Sequence, residues 1–253
     1  MMANETDPVR LTAVLIQAIA EDAETLAILH DRELTAEFLG ILKRLDFPHN
    51  LGILPQHEAT GEIWEMMATA VRELPEHPSL PVLDVLAVDY AAIYLTGACG
   101  ASPYESAWLD DEHLLCQESM FQLREIYAAA GLKTVNWRQR PDDHLVLQLL
   151  YIAHAVRKAQ HEADWDALAR MMDEHLLRWL PDFSARVAGR SAQAFYGLLA
   201  LLTQGWCDQL RDLIAGHLGR SRPTPAEIEE RLCVSRPAVT VPLTYMPGAA
   251  PGW

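Results

Sequence analysis

Hydrophobic residues recur along most of the chain at the three- and four-residue spacing of amphipathic helices. One apolar stripe of this kind consists of Trp64, Met67, Ala68, Val71 and Leu74. A second consists of Leu123, Ile126, Tyr127 and Ala130, and Gly131 follows it where a helix usually ends. Between Leu145 and Val156 apolar residues surround most of the helix, which predicts a central and buried element.

The same spacing predicts helices over most of the remaining chain. Their predicted bounds are Pro8–Leu29, Thr35–Leu45, Pro81–Leu95, Trp165–Leu177, Phe183–Val187 and Ser191–His217. Loops are predicted at Asp46–Gln56, Pro75–Pro78, Thr96–Pro103 and Lys133–Pro141. Strand-like alternation is confined to Val239–Tyr245, where prolines interrupt it. The sequence therefore predicts an all-α fold, a single-domain helical bundle without an internal repeat.

The character of the chain changes after Gly219. Six prolines follow within a short distance, at Pro223, Pro225, Pro237, Pro242, Pro247 and Pro251. One short helix is predicted at Pro225–Cys233, and the rest is predicted to be extended. The predicted organisation is a helical domain at residues 1–218 and a Pro-rich C-terminal tail at residues 219–253.

Composition and charge narrow the classes of function. Half of the 253 residues are hydrophobic and 22% are charged, which suffices for a real core and excludes a disordered or fibrous chain. The net charge of −15 argues against a nucleic-acid-binding protein, because a polyanion would be repelled. An acidic surface suits either a basic partner or simple solubility, and charge alone favours solubility.

The cysteines and the apolar segments indicate a cytoplasmic protein. The four cysteines are scattered without a C-x-x-C pair, which fits a reducing compartment and gives no support to a structural zinc site. Met1–Glu24 lacks the cationic start and cleavage site of a secretory signal. The longest apolar stretches, Leu145–Val156 and Ala194–Leu202, are shorter than the ~20 residues of a membrane span, so no stable membrane insertion is expected.

Motifs of common enzymes and cofactor proteins were not found. The chain has no Gly-rich phosphate loop and no G-x-S-x-G elbow. A di-iron bundle needs Glu-x-x-His motifs, and no histidine has Glu three residues before it. We therefore expect no catalytic residues, no bound metal and no resident cofactor.

Two local clusters carry candidate chemistry. The first is aromatic: Asp89-Tyr90-x-x-x-Tyr94-Leu95 and, after a loop, Ser102-Pro103-Tyr104-Glu105-Ser106-Ala107-Trp108. These side chains could line a groove, but the spacing of Tyr90 and Tyr94 favours simple core packing. The second is Pro141-Asp142-Asp143-His144, which opens the most apolar helix. Spacing alone favours capping, with proline in the first turn, although a carboxylate beside a histidine could instead receive a cationic peptide.

In this order the segments resemble the TorD/DmsD/NarJ family of cytoplasmic chaperones for molybdoenzymes. That family shows a tyrosine-rich helix, a P-[YW]-x-S-x-[YW] loop, a P-x-D-H helix start and an H-L-L-x-W segment. The chain matches with Tyr90 and Tyr94, Pro103–Trp108, Pro141–His144 and His175–Trp179, and the resemblance extends roughly from Thr35 to Leu213. It departs from the pattern at Arg140, where many members carry an acidic residue, and at Gln148, where many carry Glu.

The resemblance implies a TorD-like helical chaperone that is not an enzyme. Such a protein binds the twin-arginine signal peptide of an apo-molybdoenzyme catalytic subunit and delays export until the cofactor is inserted. Proteins of molybdenum cofactor biosynthesis are further partners under this hypothesis. The protein would be a monomer, or a homodimer that exchanges helices through a hinge at Lys133–Arg140.

At the second cluster, spacing alone favoured helix capping, but the resemblance favours signal-peptide binding by Asp143 and His144. Asp142 is then the preferred capping residue. Carboxylates would receive the arginine pair, and aromatic and apolar residues would line the groove. The predicted signal-peptide site comprises Asp143, His144, Pro141, Tyr104, Trp108, Tyr94, Leu95, Tyr90, Ser106, Glu105 and Asp142. His175 and Trp179 match the family but are assigned to helix packing.

Two alternatives remain at this stage. A NarJ-like assembly factor would keep the fold and bind a molybdoenzyme subunit that is never exported. A weak GTP hydrolase using His144 as base would be an enzyme, but the chain offers it no phosphate-binding loop.

Overall fold

The computed structural model describes residues 11–235, and this part of the chain consists of helices and loops without a β-strand. The prediction of an all-α fold is confirmed. The helices are α1 Ala13–Asp31, α2 Ala36–Arg44, α3 Glu58–Glu73, α4 Leu80–Tyr90, α5 Ser106–Leu109, α6 Glu118–Ala129, α7 Leu145–Lys158, α8 Glu162–Met171, α9 Leu177–Arg190, α10 Ala194–Leu218 and α11 Pro225–Ser235. Two π-helical segments, Ala91–Leu95 and Met172–Leu176, continue α4 and join α8 to α9.

The core lies between α1 and α7 on one side and α3, α9 and α10 on the other. The helix α7 packs along α1, and α10 packs along α9 and α3. Large aromatic side chains fill the second group, and Trp64, Trp179 and Trp206 are almost completely buried. Since each large side chain contributes roughly 1.5–3 kcal/mol when buried, tertiary packing stabilises these helices far more than helix propensity does.

Several helix ends follow directly from the local sequence. The side chain of Thr12 accepts a hydrogen bond from the N–H of Leu15 and begins α1, and Thr35 begins α2 in the same way. Gly131 ends α6 with a φ of 75°, and the N–H of Leu132 donates to the carbonyl of Tyr127 at 2.8 Å. The predicted end of this helix is therefore confirmed.

Other predicted bounds are wrong for identifiable reasons. Separate helices were predicted up to Leu177 and from Phe183, but α9 runs continuously from Leu177 to Arg190, through Pro181. Proline removes a single backbone hydrogen bond, while the fully buried Leu180 and Phe183 hold the helix on both sides of it. The short helix α5 was not expected, because its local sequence shows no helical periodicity.

The described residues fall into two units, residues 11–222 and the residues from Pro223 onward. In the second unit, the hydroxyl of Thr224 accepts from the N–H of Glu227, and the Glu227 carboxylate accepts from the N–H of Thr224 at 2.7 Å. This capping box begins α11, which is the helix predicted at Pro225–Cys233. The domain boundary after residue 218 stays a prediction. The first residues of the predicted helix Pro8–Leu29 and the predicted extended segment at Val239–Tyr245 lie outside the described residues.

Candidate functional site

The two motif segments of the sequence lie side by side. Tyr104 and His144 pair as an isolated antiparallel bridge, and their rings meet edge to face with centroids 4.9 Å apart. The N–H of Glu105 donates to the carbonyl of Asp143 at 3.1 Å, and the N–H of Leu145 donates to that of Pro103 at 2.9 Å. The loop before α5 and the start of α7 therefore form one structural element.

The carboxylate of Asp143 joins these segments from inside the protein. Its Oδ2 atom accepts hydrogen bonds from the backbone N–H of Ser106, at 2.9 Å, and from the Ser106 hydroxyl. Asp143 is completely buried, and its Oδ1 atom has no hydrogen-bond partner among the described residues. Burial raises the pKa of this carboxyl group, against the opposing effect of the Ser106 hydrogen bonds. Asp143 thus holds the N-terminus of α5.

His144 is the residue that caps α7. Its Nδ1 atom accepts from the N–H of Val146 at 3.1 Å, so this nitrogen carries no proton. Burial lowers the pKa of His144 to about 3, with a smaller contribution from Arg140. The expected place of Pro141 in the first turn is wrong, because α7 begins only at Leu145. Pro141 is buried in the preceding turn, where its carbonyl accepts from the N–H of His144.

Asp142 does not cap α7, which corrects the prediction for this residue. A capping side chain must reach the free N–H groups of the first turn, and His144 already does so. The Asp142 carboxylate instead accepts from the Arg124 guanidinium at 2.8 and 2.9 Å and from the Thr134 hydroxyl at 2.6 Å. The hydroxyl of Tyr127 donates to the Asp142 carbonyl at 3.1 Å. Asp142 therefore links α6 to the loop before α7.

Glu105 connects the same element to the π-helical segment Met172–Leu176. It is fully buried, with Oε1 2.7 Å from Nδ1 of His175 and Oε2 accepting from the amide of Gln148 at 2.9 Å. The same amide donates to the carbonyl of Asp143 at 3.1 Å. Burial raises the pKa of Glu105, while His175 opposes that shift. Gln148 and His175 were absent from the predicted site. The sequence did mark both positions: Gln148 departs from the family pattern, and His175 matches it. The helical spacing of His175 had led to its assignment to helix packing.

The predicted aromatic residues separate into two groups. Tyr90 and Tyr94 are buried, and their hydroxyls donate to the carbonyl of Asp31 at 2.6 Å and to Nδ1 of His30 at 2.5 Å. They pack in the core, as their spacing favoured, and do not line a groove. Leu95, by contrast, is 65% exposed.

Trp108 and Tyr104 are each partly exposed. The Trp108 indole N–H donates to the Ser102 carbonyl at 2.8 Å, and the guanidinium of Arg186 lies 4.6 Å from its ring centroid. These contacts fix the Trp108 side chain, while the residue stays partly exposed.

A cleft of about 520 Å³ opens beside Asp142. Its lining is mostly apolar and includes Tyr127, Leu132 and Trp137, together with the cations Arg124 and Lys133. The predicted hinge loop Lys133–Arg140 supplies one wall. Of the lining residues, the predicted site included only Asp142, because Tyr127 reads as part of an apolar helical stripe and Lys133 and Trp137 as part of an exposed loop.

Replacing His144 with Asn should remove an acid-sensitive contribution to stability. Because the folded pKa of about 3 lies below the ordinary 6.5, only the unfolded chain binds a proton between these values. The contribution of His144 is therefore present above pH 6.5 and is lost as the pH falls toward 3. Asparagine can still cap α7, so we expect the variant to lie within about 1 kcal/mol of the parent at pH 7.

Urea unfolding at pH 7 and pH 5 measures the effect. Between pH 7 and pH 5, we expect the free energy of unfolding to fall by about 2 kcal/mol less in the variant than in the parent. Each pH unit below the unfolded pKa contributes about 1.36 kcal/mol to this difference. The exposed His77, changed to Asn, serves as the control and should leave the pH dependence unchanged. Equal losses for parent and His144→Asn would show that His144 is not held neutral.

The described residues contain neither a metal-binding cluster nor a membrane-spanning helix. Across residues 11–235, no three His, Cys, Asp or Glu side chains are grouped as a metal site would require. In the same range, no helix has both the length and the hydropathy needed to traverse a bilayer.

Several proteins with which the chain can be aligned are named chaperone protein TorD. TorD of Vibrio cholerae serotype O1 is 31% identical over 132 residues, which cover 49% of this chain and 60% of that protein. TorD of Shewanella piezotolerans is 32% identical over 54% of this chain and 65% of its own length. The chain thus spans less than two thirds of these two relatives. TorD of Shewanella pealeana is 30% identical over 212 residues, 80% of this chain and 88% of that protein.

The family model described as nitrate reductase delta subunit matches residues 57–185, about half of the chain. This range begins just before α3 and ends within α9, so it contains both paired motif segments and the π-helical segment with His175. The family predicted from the motifs is confirmed, and the chaperone names of the relatives agree with the expectation that the chain is not an enzyme. The chain belongs to the nitrate reductase delta subunit family, the family that includes the TorD chaperones.

Proposed function

We propose that this protein is a cytoplasmic chaperone, not an enzyme, that binds the twin-arginine signal peptide of an apo-molybdoenzyme catalytic subunit. Binding would assist cofactor insertion and delay export. The names of the TorD relatives support the chaperone role. The observation that carries the peptide site is the pairing of Tyr104 with His144, because it unites the two motif segments in one element near the surface.

The predicted site residues divide between positioning and contact in this proposal. Four buried residues hold the segment that begins α5 against the start of α7: Glu105, Ser106, Asp143 and His144. Pro141 and Asp142 are buried in the turn before α7, where Asp142 pairs with Arg124. None of these six residues touches the peptide in this conformation, and Tyr90 and Tyr94 lie in the core. Tyr104, Trp108 and Leu95 expose apolar area that can contact the apolar part of a signal peptide.

Carboxylates for the arginine pair are present directly after α5. Asp111 and Glu112 are exposed, and the Asp110 carboxylate orders their loop by accepting from the N–H groups of Glu112 and Leu114, each at 3.0 Å. Leu114 and Leu115 are each 48% exposed beside them. A peptide with two arginines followed by apolar residues matches this order of acidic and apolar side chains. The net charge of −15 would also accelerate its encounter with the protein.

Calorimetric titration with a synthetic twin-arginine leader peptide tests the proposal. We expect a Kd below about 1 μM at low salt, weaker binding at higher salt, and no binding of a peptide with both arginines changed to glutamine. The double variant Asp111→Lys/Glu112→Lys should weaken binding at least about tenfold, since two exposed attractions become repulsions.

The control for this charge change is Glu62→Lys, on the exposed face of α3. It should alter affinity by less than about twofold, through net charge alone. If the double variant bound the peptide with the affinity of the parent, the arginine pair would not bind at this loop. Absence of binding by the parent chain to twin-arginine leaders would contradict the peptide-receptor function itself.

A NarJ-like assembly factor is the second candidate, favoured by the description of the matching family model. Its client would be a molybdoenzyme subunit that stays in the cytoplasm. Affinity purification of the tagged full chain, followed by mass spectrometry, separates the two functions, because a client without a twin-arginine leader would support this alternative. Analytical ultracentrifugation of the purified full chain separates a monomer from a homodimer.

A further inference from the structure

The cleft beside Asp142 is built by the end of α6 and the loop that follows it. Tyr127, Gly131 and Leu132 come from the end of this helix, and Trp137 comes from the loop. The left-handed backbone of Gly131 lets the chain reverse here, and a Cβ atom at this position would meet no atom within 4 Å. The cleft, about 520 Å³ in volume, is large enough for one or two apolar side chains of a bound segment.

The lining of this cleft carries two cations, Arg124 and Lys133, and one carboxylate, Asp142. The guanidinium groups of Arg124 and Arg138 lie 4.8 and 5.6 Å from the centroid of the Trp137 ring. The Asp142 carboxylate is already paired with Arg124 at 2.8 Å. Lys133 is exposed and has no ion-pair partner within residues 11–235. Arg138, beside Trp137, likewise forms no ion pair within the described residues, although the chain has a net charge of −15.

The apolar lining continues onto the surface of α6. Phe121 is 49% exposed and Trp137 is 41% exposed. The Arg124 guanidinium lies 5.5 Å from the centroid of the Phe121 ring and 4.8 Å from that of the Trp137 ring. Large half-exposed rings around a concave site are typical of surfaces that bind another chain. Because Arg124 is held by both rings and by Asp142, it does not need a ligand to keep its place.

We propose that this cleft binds a peptide segment in which carboxylates flank apolar side chains. An apolar side chain would enter the cleft between Leu132 and Trp137, and the flanking carboxylates would pair with Lys133 and Arg138. An arginine pair is excluded here by these same cations. The site would be a second contact with a client protein, and it goes beyond the proposed function because it requires no signal peptide.

Binding of short peptides to the full chain tests this assignment. The probes are rhodamine-labelled Gly-Ser dodecapeptides with a central Glu-Leu-Phe-Glu, Gln-Leu-Phe-Gln or Lys-Leu-Phe-Lys, followed by fluorescence anisotropy at low salt. We expect the Glu peptide to bind at least about fivefold more tightly than the Gln peptide, and the Lys peptide to bind most weakly. Trp137→Ala should weaken the Glu peptide by about tenfold through loss of the apolar wall.

Charge reversal supplies the matched comparison. Lys133→Glu should weaken the Glu peptide at least about fivefold and strengthen the Lys peptide, whereas Lys158→Glu, at the exposed end of α7, should change neither by more than about twofold. Equal affinities of the three peptides, or an unchanged Glu-peptide affinity in Lys133→Glu, would overturn the proposal. Displacement of the Glu peptide by inorganic pyrophosphate at micromolar concentration would assign the cleft to a small anion and also overturn it. Binding of the twin-arginine leader by Lys133→Glu and Trp137→Ala should be unaffected, so the two sites can fail separately.

Discussion

Replacement of Gln148 with Glu should lower the free energy of unfolding by about 3–5 kcal/mol at pH 7, the range for an uncompensated buried charge. The Gln148 amide donates to the carboxylate of Glu105 and to the carbonyl of Asp143, and all three residues are completely buried. An ionised carboxylate cannot donate to either acceptor, and it would repel Glu105. Urea unfolding followed by circular dichroism measures the loss.

The pH dependence of this loss identifies its cause. Burial beside another carboxylate raises the folded pKa of the new group, as burial already raises the pKa of Glu105. The penalty is then fully present well above that raised pKa and becomes smaller as the pH falls toward the unfolded value of about 4.3. The deficit of the variant should therefore be smaller at pH 5 than at pH 7.

Gln148→Met is the matched control for this variant. It keeps a similar length without a charge, and we expect it to cost about 1–3 kcal/mol, because buried acceptors lose their donor. Since the Gln148 hydrogen bond lowers the pKa of Glu105, its loss adds a pH dependence, which should be smaller than that of Gln148→Glu. The resemblance to the TorD/DmsD/NarJ family implies Glu at this position in many members, so Gln148→Glu also tests that departure. A variant as stable as the parent at pH 7 would mean that the network rearranges to accept the charge.

Arg211→Leu is expected to cost about 3–5 kcal/mol because it leaves Asp173 charged and unpaired in the core. The guanidinium of Arg211 in α10 contacts both carboxylate oxygens of Asp173, at 2.8 and 2.7 Å, and each residue is only 4% exposed. Asp173 belongs to the π-helical segment Met172–Leu176, which also carries His175 toward Glu105. The ion pair thus anchors the segment that reaches the paired motif loop.

A double-mutant cycle separates the pair from the packing of its side chains. Asp173→Leu together with Arg211→Leu should recover at least about 2 kcal/mol relative to Arg211→Leu alone, because no buried charge remains. The exposed pair of Arg157 with Glu24 provides the comparison, and Arg157→Leu should cost less than about 1 kcal/mol. Additive effects of the two core substitutions would show that Asp173 and Arg211 are not coupled.

Local features of the chain were readable from the sequence because their causes lie within a few residues. The threonine that begins α2 and the glycine that ends α6, both at predicted helix ends, act on the turn next to them. Apolar residues at helical spacing identify the buried faces for the same reason. The order of the motifs sufficed for the family and hence the fold class, since both depend on which residues occur and in what sequence.

The roles within the site depended on the tertiary structure. Asp142, Asp143 and His144 are consecutive, yet their side chains have three different partners: Arg124, Ser106 and the N–H of Val146. Two of these partners are distant along the chain, and no local pattern distinguishes one aspartate from the other. The tertiary structure gives each buried carboxylate its own donors, Arg124 and Thr134 for Asp142 and Ser106 for Asp143, because burying a carboxylate is costly without hydrogen bonds.

Exposure was likewise decided only by packing. The sequence by itself determined a helical member of this family with aromatic residues at helical spacing, but tyrosine and tryptophan fit a core or a surface equally well. Tyr94 is buried because its hydroxyl finds His30 across the bundle, whereas Trp137 stays half exposed because α6 ends before the loop that carries it. The exposure of an aromatic ring depends on how helices that are distant in the sequence pack together. Short-range sequence patterns do not predict that packing.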